Sequence, residues 1–108
     1  MQPVKRSVIM KRNEIKIDLD DILIILGGDT EHFNTILNNV YCTKCGGSYD
    51  KTIINYTAYL NKLNDIVLKG ECKTCSGKIG RYLETGDSKE RFAAADHVRD
   101  IKKNYKKI

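Results

Sequence analysis

Cys42-Thr43-Lys44-Cys45-Gly46-Gly47 and Cys72-Lys73-Thr74-Cys75-Ser76-Gly77 contain all four cysteines of the 108-residue chain, with 26 residues between Cys45 and Cys72. Two thiols two residues apart in one turn grip one side of a metal ion. A second pair from a distant segment closes the tetrahedron at metal–sulfur distances of about 2.3 Å. The spacing therefore assigns Cys42, Cys45, Cys72 and Cys75 to one four-sulfur site, one ion per chain, with a hairpin or short helix in the intervening segment. Glycine follows each pair at the same offset, Gly47 and Gly77, so the two stretches read as a C-x-x-C-x-G repeat. Glycine reaches positive φ without a Cβ clash and lets backbone N–H groups approach the sulfurs.

Disulfides are the first rival reading, and they need an oxidising compartment. The opening Met-Gln-Pro-Val-Lys-Arg-Ser-Val-Ile-Met-Lys-Arg has no apolar core of a secretory signal, so a cytoplasmic location is expected. A thioredoxin-like redox motif uses one C-x-x-C beside a βαβ unit and leaves the matched second pair unexplained.

Over about residues 40 to 84 the two knuckles resemble the zinc-ribbon proteins. That resemblance implies antiparallel β-structure around two zinc knuckles and a structural zinc on the same four cysteines. It implies no one activity. The stretch Val40-Tyr41-Cys42-Thr43-Lys44-Cys45-Gly46, followed by Tyr49-Asp50, is also similar to the first knuckle of a rubredoxin, which holds one iron in four cysteines. Against iron stand the missing tryptophan, only two phenylalanines and a basic chain. Tetrahedral sulfur geometry alone admits either metal, so zinc is expected and iron is the alternative.

Periodicity then predicts an α+β domain. Asp18 is a plausible N-cap for residues 18–26, where Leu19, Ile22, Leu23 and Leu26 share a helical face and Gly27-Gly28 stops the run. A buried strand over residues 15–26 is the alternative. Asp29 or Thr30 caps a second helix whose Phe33, Ile36, Leu37, Val40 and Tyr41 form one stripe leading straight into the first knuckle. Residues 52–59 read as a strand that turns near 61–65, although Ile53, Tyr56, Leu60 and Leu63 also fall at helical spacing. Residues 66–71 and 78–84 read as a hairpin around the second knuckle. Gly70 and Gly80 are placed near-opposite, at bulges or close backbone contacts. Asp87 with Glu90 makes a capping-box-like start for a C-terminal helix over residues 87–107, with Phe92, Ala95, Val98, Ile101, Tyr105 and Ile108 on its apolar side. The expected organisation is a basic N-terminal arm at 1–17 and a single domain at 18–108, with a helical part at 18–41 and a metal-centred sheet at 42–84.

Charge is uneven, +4 over residues 1–16, −5 over 17–50, +3 over 51–84 and +3 over 85–108, for a net +5. Four thiolates around a divalent ion add −2, partly offset by Lys44, Lys73 and Lys78 in or beside the knuckles. Arg99, Lys102, Lys103, Lys106 and Lys107 recur at i, i+3, i+4, i+7 and i+8, a basic stripe beside the apolar face. These five, with Lys5, Arg6, Lys11 and Arg12, are candidate phosphate contacts of a nucleic-acid-binding module or an accessory to a nucleic-acid-processing system. Three alternatives stand beside that reading. The stripe is a solvated helix face near the dipole's negative end, or an internal seam against Asp18, Asp20, Asp21, Asp29 and Glu31, or the chain is a protein–protein adaptor using its acidic helices or the apolar Ile24–Ile25 edge. No run approaches 18 apolar residues, so no membrane span is expected. An enzyme is not expected. Four cysteines close the metal shell, His32 and His97 lie in no catalytic motif, Glu84 and Asp87 flank a turn, and neither Gly27-Gly28 nor Gly46-Gly47 has P-loop spacing. No small-molecule substrate is evident.

Overall fold

The computed structural model describes residues 13–107, with the backbone alone at Ser48 and residues 103–107. Strand β1, Ile15–Ile17, leads into helix α1, Leu19–Ile25. The first turn of α1 is closed reciprocally: the Asp21 N–H donates to the Asp18 carboxylate, and the Asp18 N–H donates to the Asp21 carboxylate, each at 3.0 Å. Two orphan backbone donors are thereby satisfied. Both expectations for residues 15–26 thus hold in part, a three-residue strand followed by a helix.

Helix α2 spans Thr30–Leu37 with Asp29 as N-cap, its carboxylate accepting from the His32 N–H at 3.0 Å. It ends earlier than expected, and Val40 and Tyr41 belong to strand β2, Val40–Cys42. Asn38 and Asn39 cause the stop. Their side-chain amides donate back to the carbonyls of Asn34 and Thr35, at 2.9 and 2.7 Å, which gives the chain a local alternative to another helical turn. The helical part is therefore 19–37 and not 18–41.

Strand β2 pairs antiparallel with β3, Ser48–Lys51, as a separate two-stranded sheet. The main sheet is four-stranded, in the order β1, β4 (Ile53–Leu60), β5 (Ile66–Cys72) and β6 (Lys78–Leu83), all neighbours antiparallel. The strand expected over residues 52–59 is therefore found at Ile53–Leu60, and the turn after it is built at Asn61. Its side chain accepts from the N–H groups of Leu63 and Asp65, both at 2.9 Å. Between Ile54 and Thr57 the β4–β5 register slips, with Asn55 at φ 51. Gly70 faces this bulge: a Cβ there would come within 2.7 Å of the Ile54 carbonyl oxygen and 2.9 Å of Tyr56 Cα. The expected close backbone approach is real, and only glycine fits it.

One apolar cluster joins the sheet to all three helices. Ile17, Ile53, Ala58, Leu60, Ile66, Leu68 and Leu83 come from the sheet, Ile22, Ile25 and Leu26 from α1 and its end, Phe33 and Ile36 from α2, Val40 from β2, and Ala95 and Val98 from α3. Burying each large side chain contributes roughly 1.5–3 kcal/mol. Helix α3 spans Lys89–Lys107 and starts two residues later than expected. Asp87 lies in a 3-10 turn, Thr85–Asp87, and it is Ser88 whose hydroxyl accepts from the Arg91 N–H at 3.3 Å. The apolar side of α3 is buried through Val98, while Ile101 is 43 % exposed. The side chains of Tyr105 and Ile108 lie outside the described residues, as do residues 1–12 of the expected basic arm.

Candidate metal centre

The two knuckles sit at the ends of hairpins. Cys42 closes β2 and Cys45 follows in the turn to β3, while Cys72 closes β5 and Cys75 precedes β6. The Cys42 and Cys75 sulfurs are 3.6 Å apart, those of Cys45 and Cys72 are 3.8 Å apart, and all four lie within 4.8 Å of one another. A regular tetrahedron with arms of about 2.3 Å has edges of about 3.8 Å, so the donor set fits one tetrahedrally bound ion. None of the four is in a disulfide.

Backbone geometry prepares the second knuckle for thiolates. N–H groups of Cys75 and Thr74 point at the Cys72 sulfur and lower its thiol to about 6 from the ordinary 9.0, against desolvation, which raises it. Desolvation comes first among the causes that push the Cys45 thiol up to about 12, followed by hydrogen bonds with the other three sulfurs. Four adjacent thiols cannot all ionise without a cation among them, and a bound metal ion would supply that charge.

The C-x-x-C-x-G repeat holds, but for different reasons at its two copies. Gly46 and Gly47 both have positive φ in the first knuckle, whereas in the second it is Ser76, at φ 62, that turns left-handed. Gly77 is instead closely packed. A Cβ on it would come within 2.7 Å of Lys44 Cδ and 3.3 Å of Cys75 Sγ, and its N–H donates to that sulfur at 3.4 Å. Lys44 of the first knuckle therefore lies across the second.

Two members of the basic stripe, Arg99 and Lys102, have partners within the fold. The Lys102 ammonium is 2.8 Å from the Asp21 carboxylate and 3.3 Å from that of Asp18. Arg99 donates through Nε to Asn64 Oδ1 at 2.8 Å and through its Nη groups to the carbonyls of Asn13 and Asn61. Both cations serve the fold, but only Lys102 meets the acidic segment of the seam alternative; Arg99 bonds an amide and two backbone carbonyls instead. Side chains of Lys103, Lys106 and Lys107 lie outside the described residues, as do Lys5, Arg6, Lys11 and Arg12. His32 and His97 are both exposed.

Two features carried no signal in the sequence. One is Asn64, wholly buried and tied to α3. The other is a concavity of about 710 Å³ beside β6, into which Tyr41, Tyr49 and Tyr82 converge. Their spacing has no period, and only the pairing of β2 with β3 and the edge position of β6 bring them together.

Compared with known proteins, the chain has no significant match to a family model, a curated protein or a solved structure. Among the described residues no helix is long and apolar enough to cross a membrane. The fold and the cysteine cluster define a small mixed α/β protein whose antiparallel sheets are compatible with the α+β class and whose cysteines are positioned to bind a metal ion.

Proposed function

We propose that the chain is a structural-zinc module of zinc-ribbon type that binds nucleic acid. The observation that carries the metal part is the closed four-sulfur set drawn from two separate hairpins. A shell with four protein ligands keeps no open position for substrate or water, so the ion serves architecture and the chain is not a metalloenzyme.

The nucleic-acid part is supported by how the charges are used. Asp18 and Asp29 cap helices, Asp21 holds Lys102, Asp65 accepts from the Gly86 N–H and Asp96 from the Asn64 amide. These five carboxylates are engaged by the fold, while Lys44, Lys69, Lys73, Lys78 and Arg81 stand exposed on a chain of net +5. Lys103, Lys106 and Lys107 add three further candidate phosphate contacts along the end of α3. Binding through such cations releases counterions, and its logarithm falls linearly with the logarithm of salt concentration.

Two measurements test this reading. Metal analysis of purified protein gives one zinc per chain and a colourless solution; a red iron–thiolate absorption in protein from native cells would replace zinc by iron. Titration of duplex and single-stranded oligonucleotides gives a salt slope of roughly 0.7 to 0.9 per phosphate contacted, and no binding at about 50 mM salt removes nucleic acid as a direct partner.

A second reading, a protein–protein adaptor, is favoured by exposed apolar side chains on α1. Leu19 and Ile24 of α1 are 50 % and 45 % exposed, although Ile25 of the expected edge is buried. An Ile24→Glu variant that folds normally but no longer retains a co-purifying protein would support the adaptor.

A further inference from the structure

Tyr41 from β2, Tyr49 from β3 and Tyr82 from β6 line the concavity of about 710 Å³ together with Arg81, Arg91 and His32. Tyr49 is 73 % exposed and Tyr82 60 %, so two aromatic rings stand largely in water. Tyr41 and Tyr49 lie ring to ring, centroids 4.6 Å apart and tilted by 51°. The wall they form is the hairpin that carries Cys42 and Cys45, so the metal that fixes those sulfurs also fixes this wall. Among the described residues neither Arg81 nor Arg91 has a carboxylate partner, and the Arg81 guanidinium makes one bond, to the Tyr82 carbonyl at 3.3 Å. Strand β6 is the last strand of its sheet, and β2 packs near it without pairing to it.

We propose that this concavity takes an unpaired base of a single-stranded nucleic acid, stacked on the exposed tyrosine rings, with the adjoining phosphate held by Arg81 and Arg91. The inference rests on the nucleic-acid reading above and narrows it to a strand type and a site. Stacking on an aromatic ring serves any base, because every base has a π-face, and the volume is that of a site for one nucleotide-sized group. Guanidinium groups match phosphate geometry bidentately. Duplex is disfavoured because its bases are already stacked on one another and a concavity of this size admits no helix groove. Glu84 also lines the site, and its carboxylate selects for bases with an exocyclic amino group and against a second phosphate at the same place.

The test uses the metal-loaded full chain and fluorescence anisotropy of labelled twelve-residue single strands and of the matching duplex. The single strand is expected to bind about tenfold or more tightly than duplex. Tyr49→Ala and Tyr82→Ala are each expected to weaken it about 5- to 150-fold, the equivalent of the roughly 1–3 kcal/mol of one base–aromatic stack. The thermal midpoint stays unchanged in Tyr82→Ala, whose ring is exposed, and falls by a few degrees in Tyr49→Ala, which loses its ring contact with Tyr41. Arg91→Gln lowers the salt slope by about 0.7. Equal binding of single strand and duplex, insensitive to both tyrosine changes, overturns the site while leaving the nucleic-acid reading in place on the lysines. A cytidine or adenosine monophosphate that binds as tightly as the twelve-residue strand overturns the strand in favour of a free nucleotide. Failure of every nucleic acid to bind at about 50 mM salt overturns both readings.

Discussion

At Asn64 one side chain ties the β4–β5 turn to α3. Its amide donates to the Phe92 carbonyl at 3.2 Å and to Asp96 at 2.9 Å, its oxygen accepts from Arg99 at 2.8 Å, and its own carbonyl accepts from the Thr85 hydroxyl at 2.8 Å. It is fully buried and left-handed, φ 64, a conformation asparagine tolerates better than most residues. Truncation removes the Asn64 side of three part-buried hydrogen bonds, so Asn64→Ala is expected to lower unfolding free energy by about 2–4 kcal/mol in a urea titration. Asn64→Gly separates the causes. It removes any backbone strain but not the lost hydrogen bonds, and a glycine variant as stable as the parent would refute the role assigned to the amide. Turn chemistry around Asn61 was legible in the sequence because asparagine bonds its own near neighbours. The role of the Asn64 side chain was not, because its partners lie 28 to 35 residues away.

The elements were legible where pattern and caps agreed, as at Asp18 and in the β5–β6 hairpin. They were misread where an apolar stripe continued past its helix: Val40 sits at helical spacing from Phe33 and Ile36 but joins the core from a strand. The i, i+3 spacing of Arg99 and Lys102 likewise defines a face of α3 but not what covers it. Lys102 docks α3 on the N-terminal end of α1, and its side chain is 32 % exposed against 11 % for Asp21. Lys102→Met is therefore expected to destabilise by about 1 kcal/mol, discounted for partial solvation, where a solvated face would show no change. The sign with pH follows from the two partners. The Asp21 N–H is the leading cause, with Lys102 adding to it, that holds the Asp18 carboxyl below its ordinary 3.8; that contribution is present above 3.8 and is lost as pH falls through the lowered value. Asp21 foremost holds the Lys102 ammonium above 10.5; that contribution is present below 10.5 and is lost as pH rises through the raised value. The difference between parent and variant should stay level from about pH 5 to 10 and shrink outside it. A difference that grows on acidification would contradict the seam.

Across the whole molecule the four-cysteine cluster joins segments far apart in sequence, 33 residues from Cys42 to Cys75 and 27 from Cys45 to Cys72. Strong chelation is expected to lower the thermal midpoint and to release amide protection first at residues 40–51 and 72–78, while Cys42→Ser or Cys75→Ser costs on the order of several kcal/mol. Unchanged stability without metal would remove the ion from the account. Acid acts in the same direction. The lowered Cys72 thiol stabilises the metal-free fold fully above 9.0, and that contribution disappears as pH falls through about 6, where protons also displace the ion. The raised Cys45 thiol contributes below 9.0, and its share is lost as pH rises through about 12. This long-range pairing also sets an order of events during synthesis. A ribosome adding about 5–20 residues per second delivers Cys42 and Cys45 a few seconds before Cys72 and Cys75. For that interval the nascent chain presents two thiols and half a coordination sphere, so the ion cannot be locked in until the second hairpin has emerged.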